Sequence, residues 1–450
     1  MVGMTSAPAT GRALWGRPVG SPGPASTAVF MTFLLSGFNF SSWATRLPAV
    51  RDALDFSPNQ MGLLLLVGAF GSLLSLPLSG VVVQRLGARR TVELSAALNT
   101  GGLLVAAVGV GLASVWLTAL GLAVYGLGTG VWDAAMNLEG AAVEQLLDRS
   151  LMPRYHAGFS FGTMAGAGLG WLAAELAVPV TAHLGVVLVL SIATVLWSTR
   201  YFLPEGTHDA HPDDAGQSRR GGAFAAWAER RTLLIGLVVL AAALTEGAAN
   251  DWVALAVVDG FETSDAIGAA AFWVFVSAMT GMRLLGTTLL ERRGRVATLR
   301  LTAGIALAGL VVFGVSPWLW LAVLGVVAWG LGAGLGFPVG MSAAADDARH
   351  APARVAVVST IGYSAFLAGP PLLGLLAEHV GYRHALLAIA VPLLISLALV
   401  TATRPLRPAD ASLPEVQAGA REVLDAVDPA VAPRLVAGDG ARGPGPSSAN

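Results

Sequence analysis

The sequence contains no lysine, no cysteine and few charged residues for its length. All 27 basic residues of the 450-residue chain are arginines. Without lysine the chain has no phosphate-binding loop of the G-x-x-x-x-G-K-[ST] type, which excludes ATP binding in that way. Without cysteine it has no disulfide framework, thiol nucleophile or cysteine-bound metal. The formal net charge of -1 argues against a nucleic-acid partner, because such partners usually select a basic surface.

The shortage of charge also determines the class of protein. Charged residues make up 12% of the chain, whereas a soluble domain usually has about 25%. A water-soluble chain of this length with so little charge would expose apolar surface that it could not cover, which argues against a cytosolic enzyme. The apolar residues fall into repeated blocks of about 20, enough for an α-helix to cross a hydrocarbon core of about 30 Å. We therefore predict an all-α membrane protein with many spans.

Twelve apolar segments divide into two groups of six. We predict a flexible cytoplasmic N-terminal tail, a six-helix bundle, a cytoplasmic linker, a second six-helix bundle and a disordered cytoplasmic C-terminal tail, over residues 1–25, 26–203, 204–231, 232–402 and 403–450. The alternative for the first segment is a signal peptide, because Arg12 and Arg17 precede it. That segment is longer than a typical signal-peptide core, and eleven further segments follow it.

The arginines predict the orientation in the membrane. If both tails are cytoplasmic, the outer loops hold only Arg46, Arg51 and Arg383, and nearly all other arginines lie in inner loops, in tails or at inner helix ends. This distribution follows the positive-inside rule. It predicts a multi-pass protein of the cell (inner) membrane with both termini in the cytoplasm.

The two halves of the chain repeat one another. Residues 125–130 (YGLGTG) match residues 329–334 (WGLGAG) at an offset of 204, and residues 84–87 (QRLG) match residues 291–294 (ERRG) at an offset of 207. Landmarks in the same order at nearly one displacement indicate a duplicated six-helix unit. Parallel repeats of this kind are typical of transporters.

The loop after the second segment carries a family motif. It reads GVVVQRLGARR over residues 80–90, and it resembles the loop motif G-x-x-x-[DE]-[RK]-x-G-x-[RK]-[RK] of the major facilitator superfamily. Gln84 departs from the motif, which has an acid there, whereas the second half keeps an acid at Glu291. The resemblance covers residues 27–402 and implies twelve transmembrane helices in two pseudo-symmetric six-helix bundles. The phrases FSSWATRLP and DAAMN are most similar to the YbjJ-like and fucose-permease-like branch.

The same resemblance implies a gate on the inner side. In the family, the acid of the motif helps to hold that side closed by charge pairing and helix-terminus contacts. The candidate gating residues here are Gln84, Arg85, Arg89, Glu291, Arg292 and Arg295. The alternative is that these arginines only set the topology.

Three spans carry polar faces that predict a binding site. Polar side chains inside a span are costly and usually face a cavity or a partner, and residues at i and i+4 share one helix face. The pairs at this spacing are Asn39 with Trp43, Asp133 with Asn137, and Glu246 with Asn250. The resemblance implies that the spans bearing them line a central cavity, so we predict that these six residues bind the substrate. Trp43 could stack on a ring or could simply pack between helices.

Asp133 and Glu246 are the candidates for proton coupling. Taking a carboxylate out of water favours its protonated form, so such a group can exchange a proton near physiological pH. The alternative is that each is a structural group paired with an amide, an arginine or water. Arg283 could pair with an acid or extend to the membrane interface, and Asp251 could lie near the outer interface.

These features predict a secondary active transporter that moves a small polar organic solute by alternating access, coupled to proton symport. The rival within this class is a proton-driven exporter of drugs or metabolites. A membrane sensor or membrane enzyme is a remote alternative, because the sequence shows neither a soluble catalytic or signalling domain nor a convergent catalytic cluster. The string GFSFG at residues 158–162 resembles a nucleophile elbow, but it lies in an apolar helical span and not in a strand-turn-helix. We predict no enzymatic activity, no cofactor and no metal. The expected partners are the solute, protons and the lipid bilayer, and the protein is predicted to be a monomer.

Overall fold

The computed structural model describes residues 21–148, 151–204, 226–347 and 350–406, except for the side chain of residue 352. Within these ranges every regular element is helical. The helices are α1 Pro22–Ala44, α2 Leu47–Leu54, α3 Pro58–Gly111, α4 Val115–Leu147, α5 Met152–Glu175, α6 Val180–Ser198, α7 Arg230–Phe261, α8 Asp265–Arg293, α9 Arg295–Val315, α10 Leu319–Ala333, α11 Gly336–Ala344, α12 Ala351–Leu386 and α13 Ala390–Leu399. The predictions for residues 1–20, 205–225 and 407–450 lie outside the described residues.

Eight helical stretches in the described ranges are long and apolar enough to cross a membrane. Two of them, Pro58–Gly111 and Ala353–Thr403, span 54 and 51 residues and contain a glycine with non-helical backbone, at Gly87 and Gly381 respectively. If each is divided there, and α1 and α5 are added, the described chain has twelve helical segments. The predicted all-α class is therefore confirmed, and the crossing of a bilayer by all twelve stays a prediction.

The matched loop glycines of the two halves adopt the same backbone conformation. Gly87 has φ 77° and ψ 161°, and Gly294 has φ 75° and ψ 166°. Only glycine adopts this region of φ/ψ space readily, because a Cβ atom would clash there. Each glycine therefore allows one helix to end and the next to begin at once, which explains why the motif needs glycine at this position.

Glycines bring neighbouring helices to backbone contact inside each half. A Cβ atom added to Gly162 of α5 would lie 1.8 Å from the carbonyl oxygen of Leu34 in α1, and one added to Gly126 of α4 would lie 2.1 Å from that of Gly68 in α3. Small residues permit such close approach in membrane proteins, where dispersion contacts drive helix association. These glycines therefore serve helix packing.

The two halves contact each other through α3 with α12 and α5 with α8. A Cβ atom on Gly62 of α3 would lie 2.6 Å from the carbonyl oxygen of Pro370 in α12, and one on Gly374 would lie 2.7 Å from that of Pro58. Trp171 and Trp273 stack across the second contact with ring centroids 5.4 Å apart. We refer to the end of the molecule that contains α2 as the Arg51 end and to the opposite end as the Gly87 end.

Candidate functional site

An ion pair between Glu246 and Arg283 lies in the interior of the helix assembly. The Arg283 Nη2 atom donates to both carboxylate oxygens of Glu246 at 2.8 Å. Glu246 is near the middle of α7, and Arg283 is about two thirds of the way along α8 toward the Gly87 end. Their side chains are 16% and 26% exposed, so the pair is largely buried but accessible from one side. Of the two sequence interpretations of Arg283, the structure confirms pairing with an acid.

Arg283 also connects this pair to two further helices. Its Nε atom donates to the carbonyl oxygen of Gly334 at 3.3 Å, and its Nη1 atom donates to the hydroxyl of Ser160 at 3.3 Å. Ser160 lies within the continuous helix α5, as predicted, and α5 belongs to the other half of the chain. The guanidinium group therefore joins the two halves.

Asp133 and Asn137 form a second polar group on α4. The Asn137 amide nitrogen donates to the Asp133 carbonyl oxygen at 2.8 Å and to a carboxylate oxygen at 3.3 Å. Both side chains are partly exposed. Tyr363 of α12 lies close enough to interact electrostatically with the Asp133 carboxylate, so this group also faces the other half.

Asn39 and Trp43 of α1 lie in a different environment from the other predicted binding residues. Asn39 is fully buried and donates to the side-chain oxygen of Asn99 at 3.1 Å. Asn99 in turn donates to the Thr129 hydroxyl at 2.9 Å, so a chain of polar contacts joins α1, α3 and α4. Trp43 is also buried. In this conformation both side chains contact neighbouring helices, and a substrate-binding role for either stays a prediction.

Asn250 and Asp251 present oxygen atoms to the interior from α7. The Asn250 side-chain oxygen is buried without a hydrogen-bond partner. Asp251 is partly exposed, and no described residue makes a hydrogen bond or an ion pair with its carboxylate. Tyr125 of α4 lies close enough to interact electrostatically with Asp251. The sequence interpretation had left Asp251 near the outer interface, and its lack of a partner could not be seen from the sequence.

The predicted gating residues lie at the Gly87 end. Five of them are exposed, namely Gln84, Arg85, Arg89, Glu291 and Arg292. Arg89 pairs with Glu93 of its own helix at 2.9 Å. Arg295 is less exposed, and its Nη1 atom donates to both carboxylate oxygens of Asp346 at 2.9 Å. Each of these ion pairs joins residues of the same half of the chain. A gating role for the six residues stays a prediction.

Polar contacts between the halves occur at the Arg51 end. Arg51 forms an ion pair with Asp259 of α7 and a second one with Asp52 at 2.7 Å. In a second contact between the halves, Glu378 of α12 accepts a hydrogen bond at 3.1 Å from the backbone nitrogen of Asn59, which lies at the start of α3. We call the Arg51–Asp259 and Glu378–Asn59 contacts the latch. From the sequence, Arg51 indicated only topology, because its partner lies 208 positions away.

The described residues offer polar groups for a solute but no evident metal site. In the parts of the chain that the structure covers, no three His, Cys, Asp or Glu side chains lie together as metal ligands would. The interior instead combines one ion pair, two further carboxylates and several aromatic rings. Such a set of groups can bind a polar organic molecule and exchange protons.

Comparison with known proteins gives concordant results. A family model described as Major Facilitator Superfamily matches residues 29–366. An uncharacterized transporter, y4wD, of Sinorhizobium fredii (strain NBRC 101917 / NGR234) is 31% identical over 373 residues, which cover 80% of this chain and 96% of the relative.

Solved structures resemble the fold at low sequence identity. A mutant form of the nucleoside transporter NupG superposes with a TM-score of 0.69 at 15% identity, covering 84% of this chain and 99% of that one. A mutant form of the E. coli fucose:proton symporter FucP gives a TM-score of 0.59 at 14% identity, covering 84% and 98%. At these identities the likeness shows the fold alone.

Proposed function

The chain belongs to the Major Facilitator Superfamily and is a multi-pass membrane transporter, and from this premise we propose that it moves a small polar organic solute by alternating access, coupled to proton symport. We place it in the cytoplasmic membrane with both termini inside, which the distribution of arginines supports. The Gly87 end then faces the cytoplasm and the Arg51 end faces outward.

The Glu246–Arg283 ion pair is the observation that carries this proposal. Charged side chains inside a membrane protein are costly and usually mark a substrate path or a proton relay. Here the carboxylate and the guanidinium compensate each other, and Arg283 also contacts Ser160 of the other half at 3.3 Å. A charge change at Glu246 therefore acts directly on a contact between the halves.

Protonation of Glu246 supplies the coupling step. A proton on this carboxylate removes the counter-charge of Arg283 and leaves the guanidinium uncompensated in the interior, which is unfavourable. The guanidinium then gains by reorienting toward another acceptor or toward the solute. Asp133 is the second proton-coupling carboxylate in the proposal, because its only side-chain hydrogen bond in the described structure comes from the neutral amide of Asn137.

The two ends of the molecule support alternating access. The latch and the backbone contacts of α3 with α12 close the Arg51 end in this structure. The exposed residues Gln84, Arg85, Arg89, Glu291 and Arg292, together with Arg295, are proposed to close the Gly87 end when the Arg51 end opens. Solute would then enter from outside, bind near Asp133 and Glu246, and leave toward the cytoplasm.

The test is proton movement induced by solute in proteoliposomes that contain the purified protein. A panel of sugars, nucleosides, organic acids and amines is added outside while an internal dye reports pH. We expect at least one solute to acidify the lumen, and we expect Glu246→Gln or Asp133→Asn to abolish this signal while solute exchange persists. Glu262→Gln is the matched control, because it removes an exposed carboxylate just beyond α7.

Other outcomes would contradict the proposal at defined points. Solute-driven alkalinisation of the lumen would indicate antiport and an exporter. Solute exchange without any proton signal would indicate a uniporter or another coupling ion. Unchanged coupling in both carboxylate variants would remove Glu246 and Asp133 from the proton path.

The gating proposal has its own test, which the lack of native cysteine makes simple. Ala377 is buried at the Arg51 end of α12, so Ala377→Cys should react slowly with a thiol reagent that cannot cross membranes. Adding Arg51→Gln breaks the ion pair with Asp259 and should raise the labelling rate severalfold, because exposed pairs contribute about 0.2–1 kcal/mol. An unchanged rate would show that this ion pair does not hold the end closed.

A further inference from the structure

Asp251 is an interior carboxylate whose charge is not compensated by the described part of the protein. It lies on α7, a helix long and apolar enough to cross a membrane. Its side chain is partly exposed, and it receives no hydrogen bond or ion pair from a described residue. Arg283, the arginine of the interior ion pair, gives its Nη2 bonds to Glu246. Asp251 thus differs from Glu246, which has its own counter-charge.

The groups around Asp251 are aromatic or accept hydrogen bonds. Tyr125 of α4 interacts electrostatically with the Asp251 carboxylate from the other half of the chain. The preceding residue, Asn250, has a buried side-chain oxygen that no described donor reaches. Two successive residues of α7 therefore present oxygen acceptors, and a phenol group of the other half lies within electrostatic range of the second.

The charge of this group selects among ligand classes. A carboxylate that is largely withdrawn from water and has no counter-charge is unfavourable, and a cation or a proton stabilises it. A protonated amine supplies both the positive charge and several hydrogen-bond donors, and a tyrosine ring attracts cations through its π-face. A neutral hydroxyl group supplies donors without charge, and a carboxylate on the solute would add repulsion.

We propose that Asp251, together with Tyr125, forms a subsite that binds a protonated amine of the transported solute. This inference rests on the proposed transport function and narrows its substrate class to small aminated polar molecules. Asp251 is then a substrate-recognition residue, whereas Glu246 and Asp133 serve proton coupling. The solute bridges the two halves through the subsite, since Tyr125 and Asp251 belong to different halves.

The test is binding of probes that share a ring and differ in charge. D-Glucosamine, D-glucose and D-glucuronate are offered to the purified protein in detergent near neutral pH, and ligand-induced thermal stabilisation is measured over a range of concentrations. A second set uses ethanolamine, ethylene glycol and glycolate. We expect the amine of a set to bind most tightly and the carboxylate most weakly.

Variants then assign the preference to the subsite. Asp251→Asn should weaken amine binding at least about tenfold, as loss of one partner of a desolvated charge pair does, and should bring the amine to the level of the hydroxyl probe. Asp251→Glu keeps the charge and should retain part of the preference. Glu262→Gln, which removes an exposed charge after the same helix, should leave binding unchanged.

Three results would overturn the inference. The first is equal binding of amine and hydroxyl probes, which a proton on Asp251 would produce. The second is a preference for the carboxylate probes, and the third is a response to none of the amines. An amine preference that survives in Asp251→Asn would move the subsite elsewhere. Binding in detergent needs neither transport nor a proton gradient, so absence of proton coupling in liposomes would not affect this result. Likewise, loss of the amine preference would not affect a proton signal measured in liposomes.

Discussion

The Glu246–Arg283 ion pair allows a quantitative prediction. The two groups are 2.8 Å apart at their contacting atoms, so their charge centres are about 4 Å apart, which gives about 4 kcal/mol of attraction at an effective dielectric constant of 20. Solvent reaches part of both side chains and reduces this value to about 2–3 kcal/mol. Glu246→Gln or Arg283→Gln alone should each destabilise the protein by about that amount, because an uncompensated charge remains.

The double variant is the decisive measurement. Removal of both charges leaves no uncompensated group, so Glu246→Gln with Arg283→Gln should be less destabilised than the sum of the single variants by about 2–3 kcal/mol. The assay is a double-mutant cycle on the free energy of unfolding in mixed detergent micelles. The exposed pair of Arg89 and Glu93 is the control and should show a coupling energy below about 0.5 kcal/mol. Additive losses at Glu246 and Arg283, within about 0.5 kcal/mol, would refute the reasoning.

Two further predictions concern stability. Burial alone would raise the pKa of the Glu229 carboxyl, but hydrogen bonds from Arg354 and a neighbouring threonine outweigh it and lower the pKa. The pair should therefore stabilise the fold above the ordinary carboxyl pKa of about 4.3 and lose this effect as pH falls through the lowered value. Arg354→Gln should flatten that part of the stability–pH curve, and an unchanged curve would contradict this. Gly162→Ala places a methyl group against the Leu34 carbonyl and should sharply lower the unfolding temperature. Gly185→Ala is the control, because a methyl group there meets no atom within 4 Å, and it should leave the unfolding temperature unchanged. Similar effects of the two substitutions would contradict the packing argument.

The helices could be predicted from the sequence because they depend on local properties. Apolar blocks of about 20 residues require spanning helices, and the QRLG and ERRG strings that match in sequence also match in structure, with the same backbone conformation at Gly87 and Gly294. The sequence left open whether Arg283 pairs with an acid or extends to the membrane interface, because a sequence does not give the distance between charged residues on different helices.

The site was less predictable because its contacts join distant parts of the chain. Asn39 has the helical spacing of a cavity residue, but Asn99, 60 positions away, takes its amide. No sequence pattern distinguishes an amide that meets a second amide from one that meets a solute. The latch was missed for the same reason, since Arg51 and Asp259 belong to different halves and each is an ordinary charged residue at a helix end.

The glycine and proline contacts between α3 and α12 have a consequence for the balance between conformations. The closest approach there is between backbone atoms of Gly62, Pro370, Gly374 and Pro58, while Leu64 of α3 and Leu373 of α12 belong to one buried apolar cluster that spans both halves. A joint of this composition closes tightly by shape, and its opening in the proposed cycle would expose apolar surface, a cost that solute and proton binding must offset. A shift from 1:99 to 99:1 requires about 5.5 kcal/mol of differential binding, and a joint with a large apolar surface would raise that demand. In the proposed symport cycle, the solute and the proton would together supply this differential binding.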